Sequence, residues 1–83
     1  MSTKAKLLQN ILSGSKNVRF NDMTTLVEAF GFRLSRTNGS HHIFTCPGIC
    51  ELVNLQNVKG QAKPYQIKQF LNIVERHNLK MEQ

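Results

Sequence analysis

Two adjacent histidines, His41 and His42, follow a tight-turn signal in the stretch NGSHHIF at residues 38–44. A neutral imidazole, whose ordinary pKa is about 6.5, can accept a proton at neutral pH and later return it. Such a base could deprotonate a ribose 2′-hydroxyl, which then attacks the neighbouring phosphorus and cuts RNA without a metal. The pair could also fill the core or bind a metal ion, so three interpretations are open at this point.

The metal interpretation needs Cys46 and Cys50, which have three residues between them, as further ligands. Tetrahedral zinc sites usually combine one Cys-x₂₋₄-Cys pair with a second pair of its own spacing. Neighbouring side chains in a strand point to opposite faces, so His41 and His42 could not both turn toward one ion. We therefore expect no metal and no cofactor. The two cysteines can instead face each other across the Pro-Gly turn, as packed thiols or as an incidental disulfide.

Basic side chains near the histidines are candidates for contacts with the phosphates of RNA. Lys59 and Lys63 flank a Gly-containing loop that leads into a helix N-terminus, where free N–H groups favour a phosphate. Arg33 and Arg36 lie on the strand expected to pair with the one that carries the histidines, and Lys68 lies one turn into the last helix. The alternative is that these charges form an ordinary solvated face.

Few other side chains could share in the chemistry. His77, near the end of the last helix, is expected to cap carbonyls or to lie in solvent. Glu28 and Glu51 are the best placed carboxylates, and neither has a recognisable partner, so no general acid is evident. Tyr65, beside Lys63 on the first turn of the last helix, could stack on a base.

The spacing of apolar residues predicts the elements that position these side chains. Met23, Leu26, Val27 and Phe30 recur at helical spacing, whereas alternating residues predict three strands, FRLSR, SHHIFTC and ICELVNL, joined by turns at TNG and PG. The helix formed by Met23 to Phe30 is predicted to have its N-cap at Asn21 or Asp22 and to end at Gly31. The other predicted elements are a helix over residues 2–14, a polar loop over residues 56–63, and a helix from Pro64 to about Asn78.

The order α-α-β-β-β-α indicates an α+β domain, with helices packed on one face of a three-stranded antiparallel sheet. The opposite face of that sheet is then open to solvent. His41 and His42 must point to opposite faces, so one of them can lie against the core while the other is available on the open face. The periodicity does not say which.

Length and charge limit the classes of protein that fit. The chain has 83 residues, 40% of them hydrophobic and none of them Trp, which suffices for one small domain with a thin core. Its formal net charge of +6 favours a polyanionic partner: RNA, DNA, an acidic protein or a membrane surface. No stretch is apolar enough for a membrane span, and the N-terminus lacks the apolar region of a signal peptide. We therefore expect a cytoplasmic protein with reduced cysteines.

The run from Gly39 to Phe44, with Arg36 in the strand before it and a basic loop and amphipathic helix after it, resembles the HicA family. These proteins are small toxins of HicA/HicB toxin–antitoxin systems. The resemblance covers roughly residues 21–78, with residues 1–20 as an extra N-terminal helix and connector of one domain spanning residues 1–83. The extra helix and the CPGIC turn depart from the family pattern.

The resemblance implies a double-stranded-RNA-binding-domain-like fold and a ribosome-independent mRNA interferase. Activity would depend on the histidine after Gly-Ser, here His41, with Gly39 and Ser40 beside it in contact with RNA. It also implies a HicB-like antitoxin protein as the inhibitory partner, and we expect a monomer when that partner is absent. Two alternatives stay open: a non-catalytic RNA-binding module of the same fold, and a small structural adaptor for an acidic protein.

Overall fold

The computed structural model describes residues 3–12, 14 and 18–81, and within them the chain forms an α+β domain of three helices and one four-stranded sheet. All neighbouring strands are antiparallel, and their spatial order is the same as their order in the chain. The elements are α1 (Thr3–Leu12), α2 (Phe20–Ala29), β1 (Arg33–Asn38), β2 (His41–Cys46), β3 (Ile49–Val58), β4 (Gln61–Ala62) and α3 (Pro64–Arg76). The connector predicted after α1 lies largely outside the described residues.

The three predicted helices are confirmed, but α2 begins earlier than expected. It starts at Phe20, and the residue before it, Arg19, makes no side-chain capping hydrogen bond, so the predicted cap at Asn21 or Asp22 was wrong. Phe20 is buried and extends the apolar face of the helix by one turn, which outweighs the missing cap. Gly31 ends the helix as predicted, because its φ of +97° favours glycine.

The core lies between the helices and one face of the sheet. Phe44, Val53 and Leu55 point from β2 and β3 into it and are at most 3% exposed. Their partners from the helices are Ile11, Met23, Leu26, Val27, Ile67, Phe70 and Ile73. No helix of the described residues packs on the other face of the sheet, which we call the open face.

A fourth strand corrects the prediction of a three-stranded sheet. Residues 57–58 of β3 pair with β4, where the prediction placed only a polar loop. The two residues between them, Lys59 and Gly60, both have positive φ, at +52° and +83°, as a two-residue type I′ hairpin turn requires. The Phe20 N–H donates to the Gly60 carbonyl, 2.8 Å away, which ties this hairpin to the start of α2.

Candidate functional site

The two adjacent histidines lie on opposite faces of β2. His42 shares its face with buried Phe44, and its ring centroid is 4.7 Å from that of Phe20 in α2. Its Nδ1–H donates to the Ser40 carbonyl at 3.2 Å. His41 points the other way, to the open face, and is partly exposed. The structure therefore makes His41 the available histidine of the pair.

His41 is surrounded on the open face by amide side chains. It pairs with Asn38 of β1 and with Gln56 of β3, and its Nδ1 is 3.4 Å from Oδ1 of Asn54. Since an amide oxygen can only accept, this contact uses the tautomer in which Nδ1 carries the hydrogen. The lone pair is then on Nε2, the nitrogen that Asn54 does not contact, which is the arrangement a general base needs.

The Gly39-Ser40 turn holds His41 in register. Gly39 has a φ of +62° and stands first in the two-residue turn between Asn38 and His41, the place where a type II′ turn requires glycine. The Asn57 N–H donates to the Ser40 carbonyl at 3.0 Å, so the turn is fastened to β3. Gly39 and Ser40 are both exposed, so their backbone lies at the surface beside His41.

Of the two candidate arginines, the structure brings Arg36 to His41. Arg36 pairs with Ile43, two residues from His41, so the two residues are diagonal neighbours on the open face, at a spacing of about 7–8 Å. Arg33 pairs further away, with Thr45, and its guanidinium donates to the carbonyls of Glu28 and Phe32 at 3.0 and 2.8 Å. Arg33 thus binds the C-terminal end of α2, where a cation is favourable.

Two of the three candidate lysines lie near this surface. Lys59 is exposed in the β3–β4 turn, and Lys63 follows β4 directly. The Nζ atom of Lys63 is 5.8 Å from the ring centroid of Tyr65, which is 55% exposed. Lys68 is exposed on the side of α3 opposite its buried residues, so it faces away from the sheet.

Gln66 anchors the start of α3 beside the strand partner of His41, a contact that no local sequence pattern predicts. Its side chain is buried, and its Oε1 accepts a hydrogen bond of 2.7 Å from the backbone N–H of Gln56, the strand partner of His41. Because β4 ends at Ala62, no strand is left to accept from that N–H, and the amide takes this place. Tyr65 and Lys63 are consequently held next to the β3 edge.

The open face has no carboxylate among the residues that the structure describes. Glu51, expected to lack a partner, lies on the other face and accepts hydrogen bonds from Arg76 and, at 2.8 Å, from Nε2 of His77. The hydrogen bond from His77, aided by the charge of Arg76, lowers the pKa of Glu51 below its ordinary 4.5. His77 is exposed, in agreement with the prediction that it lies in solvent, and its hydrogen bond to Glu51 is a contact that the sequence did not predict.

The cysteines do not form the pair that the Pro-Gly turn suggested. Cys46 pairs with Ile49 and packs against the core, whereas Cys50 is the next residue and lies exposed on the opposite side. Both are free thiols, and side chains on opposite faces cannot be joined without moving the backbone. Across residues 3–12, 14 and 18–81, no group of three or more His, Cys, Asp or Glu side chains could hold a metal ion.

Comparison with known proteins adds no relative. No protein-family model, no curated protein and no solved structure matches the chain. None of the described helices has the length and apolar character needed to span a membrane. Within the described part of the chain, the geometry defines a small α+β domain with a histidine on an open sheet face that carries no carboxylate.

Proposed function

We propose that this chain is a metal-independent endoribonuclease of the HicA toxin type, in which His41 is the general base. The observation that carries the proposal is the placement of His41 on the open face, with Asn54 at its Nδ1 and Arg36 as its diagonal neighbour. A single general base contributes about 10²- to 10⁴-fold to a rate. That acceleration is modest, and it suits a toxin that disables long messages with occasional cuts.

The reaction is an internal attack within the RNA. Nε2 of His41 takes the proton of a ribose 2′-hydroxyl, the 2′-oxygen bonds to the adjacent phosphorus, and the bond from phosphorus to the 5′-oxygen breaks. The products are a 2′,3′-cyclic phosphate and a 5′-hydroxyl, whose proton the imidazolium or water supplies. Arg36, the diagonal neighbour of His41, would contact the charged phosphate. The exposed turn at Gly39 and Ser40 leaves room for the RNA backbone beside His41.

Contacts outside the reacting bond come from cations and one aromatic ring at the edge of the open face. Lys59 and Lys63 supply charge near the end of β3, and exposed Tyr65 offers a ring on which a base can stack. A sheet face without carboxylates does not repel a polyanion. A cytoplasmic location and inhibition by a HicB-like antitoxin that covers this face belong to the same proposal.

A non-catalytic RNA-binding module is the second candidate. It is favoured by one observation: within the described residues, no carboxylate on the open face could serve as the general acid that a two-group mechanism uses. In that case His41 would only hydrogen-bond a phosphate. The two candidates differ in what loss of the imidazole does, since the ribonuclease loses cleavage while the module loses affinity.

The test compares wild type with His41→Ala on RNA in the presence of EDTA. Wild-type protein is expected to cut, to leave 2′,3′-cyclic phosphate ends and to spare a substrate with 2′-deoxyribose at the cut site. His41→Ala is expected to lose cleavage and growth arrest, while its circular dichroism and its affinity for uncleavable 2′-O-methyl RNA stay the same.

The matched control is His77→Ala, which removes another partly exposed imidazole on the far side of the sheet. It should cut RNA at the wild-type rate. If wild type never cuts RNA and His41→Ala weakens binding, the ribonuclease proposal fails and the binding module replaces it. If no RNA binds at all, both candidates fail.

A further inference from the structure

A shallow cavity lies between β3 and α3, next to the open face. Its volume is about 470 Å³, and it is lined by Leu52 and Ile73, by the amides of Gln69 and Asn72, and by the Glu51–Arg76 ion pair. Leu52 is 54% exposed, so its side chain leaves an apolar surface within the cavity. The cavity therefore combines a flat apolar contact with polar groups, as small-molecule sites do.

The two amides are available to a ligand. Neither the Gln69 nor the Asn72 side chain hydrogen-bonds to any other described part of the protein, and both are exposed. Each presents two donors and one acceptor oxygen. The edge of a nucleobase carries the complementary groups, and paired donor and acceptor contacts from Asn or Gln are a common way to read a base.

The charges in the cavity favour a neutral ring over a phosphate. Arg76 is the cation in the lining, and its guanidinium is already engaged by Glu51. The carboxylate of Glu51 is in turn neutralised by Arg76, and it accepts a hydrogen bond from His77. Among the described residues that line the cavity, a phosphate would meet no free cation, whereas an uncharged base meets an apolar floor and two open amides.

The cavity lies close enough to His41 to contact the same RNA molecule. Leu52 and Asn54 lie on the same side of β3, two residues or about 7 Å apart, and Asn54 contacts His41. Gln69, Asn72 and Arg76 continue the exposed stripe of α3 that begins at Tyr65, since they recur at helical spacing. A nucleotide next to the cut bond can therefore place its base against this stripe.

We propose that this cavity binds one nucleobase of the substrate RNA, with Leu52 packing on the ring and Gln69 and Asn72 reading its edge. The inference rests on the proposed function, because it assumes that the RNA substrate crosses the open face. It makes Gln69 and Asn72 the residues that set the base preference of cleavage, without a part in the chemistry at His41.

The experiment measures binding of single-stranded 2′-O-methyl oligonucleotides, of equal length and composed only of A, only of C or only of U, to the His41→Ala protein at fixed salt. One base is expected to bind about tenfold more tightly than the others. Adding Gln69→Ala and Asn72→Ala should remove that preference. Alanine favours the helix, so the fold of α3 is retained, which circular dichroism checks.

Gln9→Ala is the matched control, since it removes an exposed helical amide from α1, outside the cavity, and should leave the preference unchanged. Equal affinities for all three oligonucleotides, or a preference that survives the double substitution, would overturn the inference. Cleavage by the wild-type protein is followed in parallel. His41-dependent cleavage without an amide-dependent preference overturns the base site alone, whereas an amide-dependent preference without cleavage supports the base site and overturns the ribonuclease.

Discussion

His41 and His42 are neighbours in the chain, yet their imidazoles lie on opposite sides of the sheet. The ring of His42 packs 4.7 Å from Phe20, centroid to centroid, while Nδ1 of His41 lies 3.4 Å from Oδ1 of Asn54 on the open face. One imidazole is therefore part of the packing between sheet and helices, and the other is available to a ligand. Substitution should separate the two roles.

His42→Ala should destabilise the fold, whereas His41→Ala should not. The first change removes an aromatic contact with Phe20 and a hydrogen bond to the Ser40 carbonyl, together worth about 1–2 kcal/mol of unfolding free energy. The second removes a partly exposed side chain and should change stability by less than about 0.5 kcal/mol. Urea denaturation of both variants measures the difference. Equal losses would mean that His41 also supports the fold.

Sequence alone predicted that the two imidazoles diverge, because side chains alternate along a strand. It could not say which one faces the core, since that depends on Phe20, which lies in a helix far earlier in the chain. The same limit applies to Glu51 and His77, which are 26 residues apart and share no local pattern. Local periodicity predicted the elements, and the contacts between elements had to come from the structure.

Asn54→Asp should move the acid limb of the pH–rate profile for RNA cleavage to higher pH. The new carboxylate would lie about where the amide oxygen lies, 3.4 Å from Nδ1 of His41, and a negative charge there stabilises the imidazolium. The base then stays protonated up to a higher pH, and the limb should shift by about one pH unit. The added negative charge also weakens RNA binding and so lowers the rate at every pH. The measurement is therefore the pH at which the acid limb falls, and not the rate at a single pH.

Asn54→Leu is the companion variant. It removes the contact without adding charge, so it should lower the rate and leave the acid limb within a few tenths of a unit of wild type. A limb that moves equally in both variants would show that the charge beside His41 is not what shifts it. A limb that moves in neither would remove His41 from the rate-limiting proton transfer.

Glu51→Gln should lower stability at neutral pH and have no effect in acid. The folded-state pKa of Glu51 is lowered by its hydrogen bond from His77 and by Arg76, so its carboxylate stabilises the fold above the ordinary pKa of 4.5. That contribution disappears as the pH falls through the lowered pKa. Urea denaturation at about pH 7 and about pH 3 tests the sign, because the stability curves of the two proteins should converge in acid. A constant difference at both pH values would assign the effect to packing.

The short strand β4 is the element that the sequence pattern did not predict. The sequence predicts a polar loop over residues 56–63, and lysine is an uncommon residue at a position of positive φ such as that of Lys59. The useful signal was Gly60, since a residue followed by glycine between two short extended segments is typical of a type I′ hairpin. The Lys59-Gly60 pair thus indicates a hairpin with Lys59 in its turn.

Lys59→Asn should make the protein more stable and its hold on RNA weaker. Asparagine tolerates the φ of +52° better than lysine, so the type I′ turn should gain about 0.5 kcal/mol. The same change removes a cation at the edge of the open face, so the slope of log affinity against log salt should fall in magnitude by about 0.7 for a single-stranded RNA. Urea denaturation and salt-dependent binding to 2′-O-methyl RNA measure the two effects. Lys80→Gln, a loss of the same charge near the groove between α1 and α3, should leave the salt dependence unchanged. A gain in stability with an unaltered slope would place Lys59 outside the RNA-binding surface, because the slope counts the cations that contact phosphate.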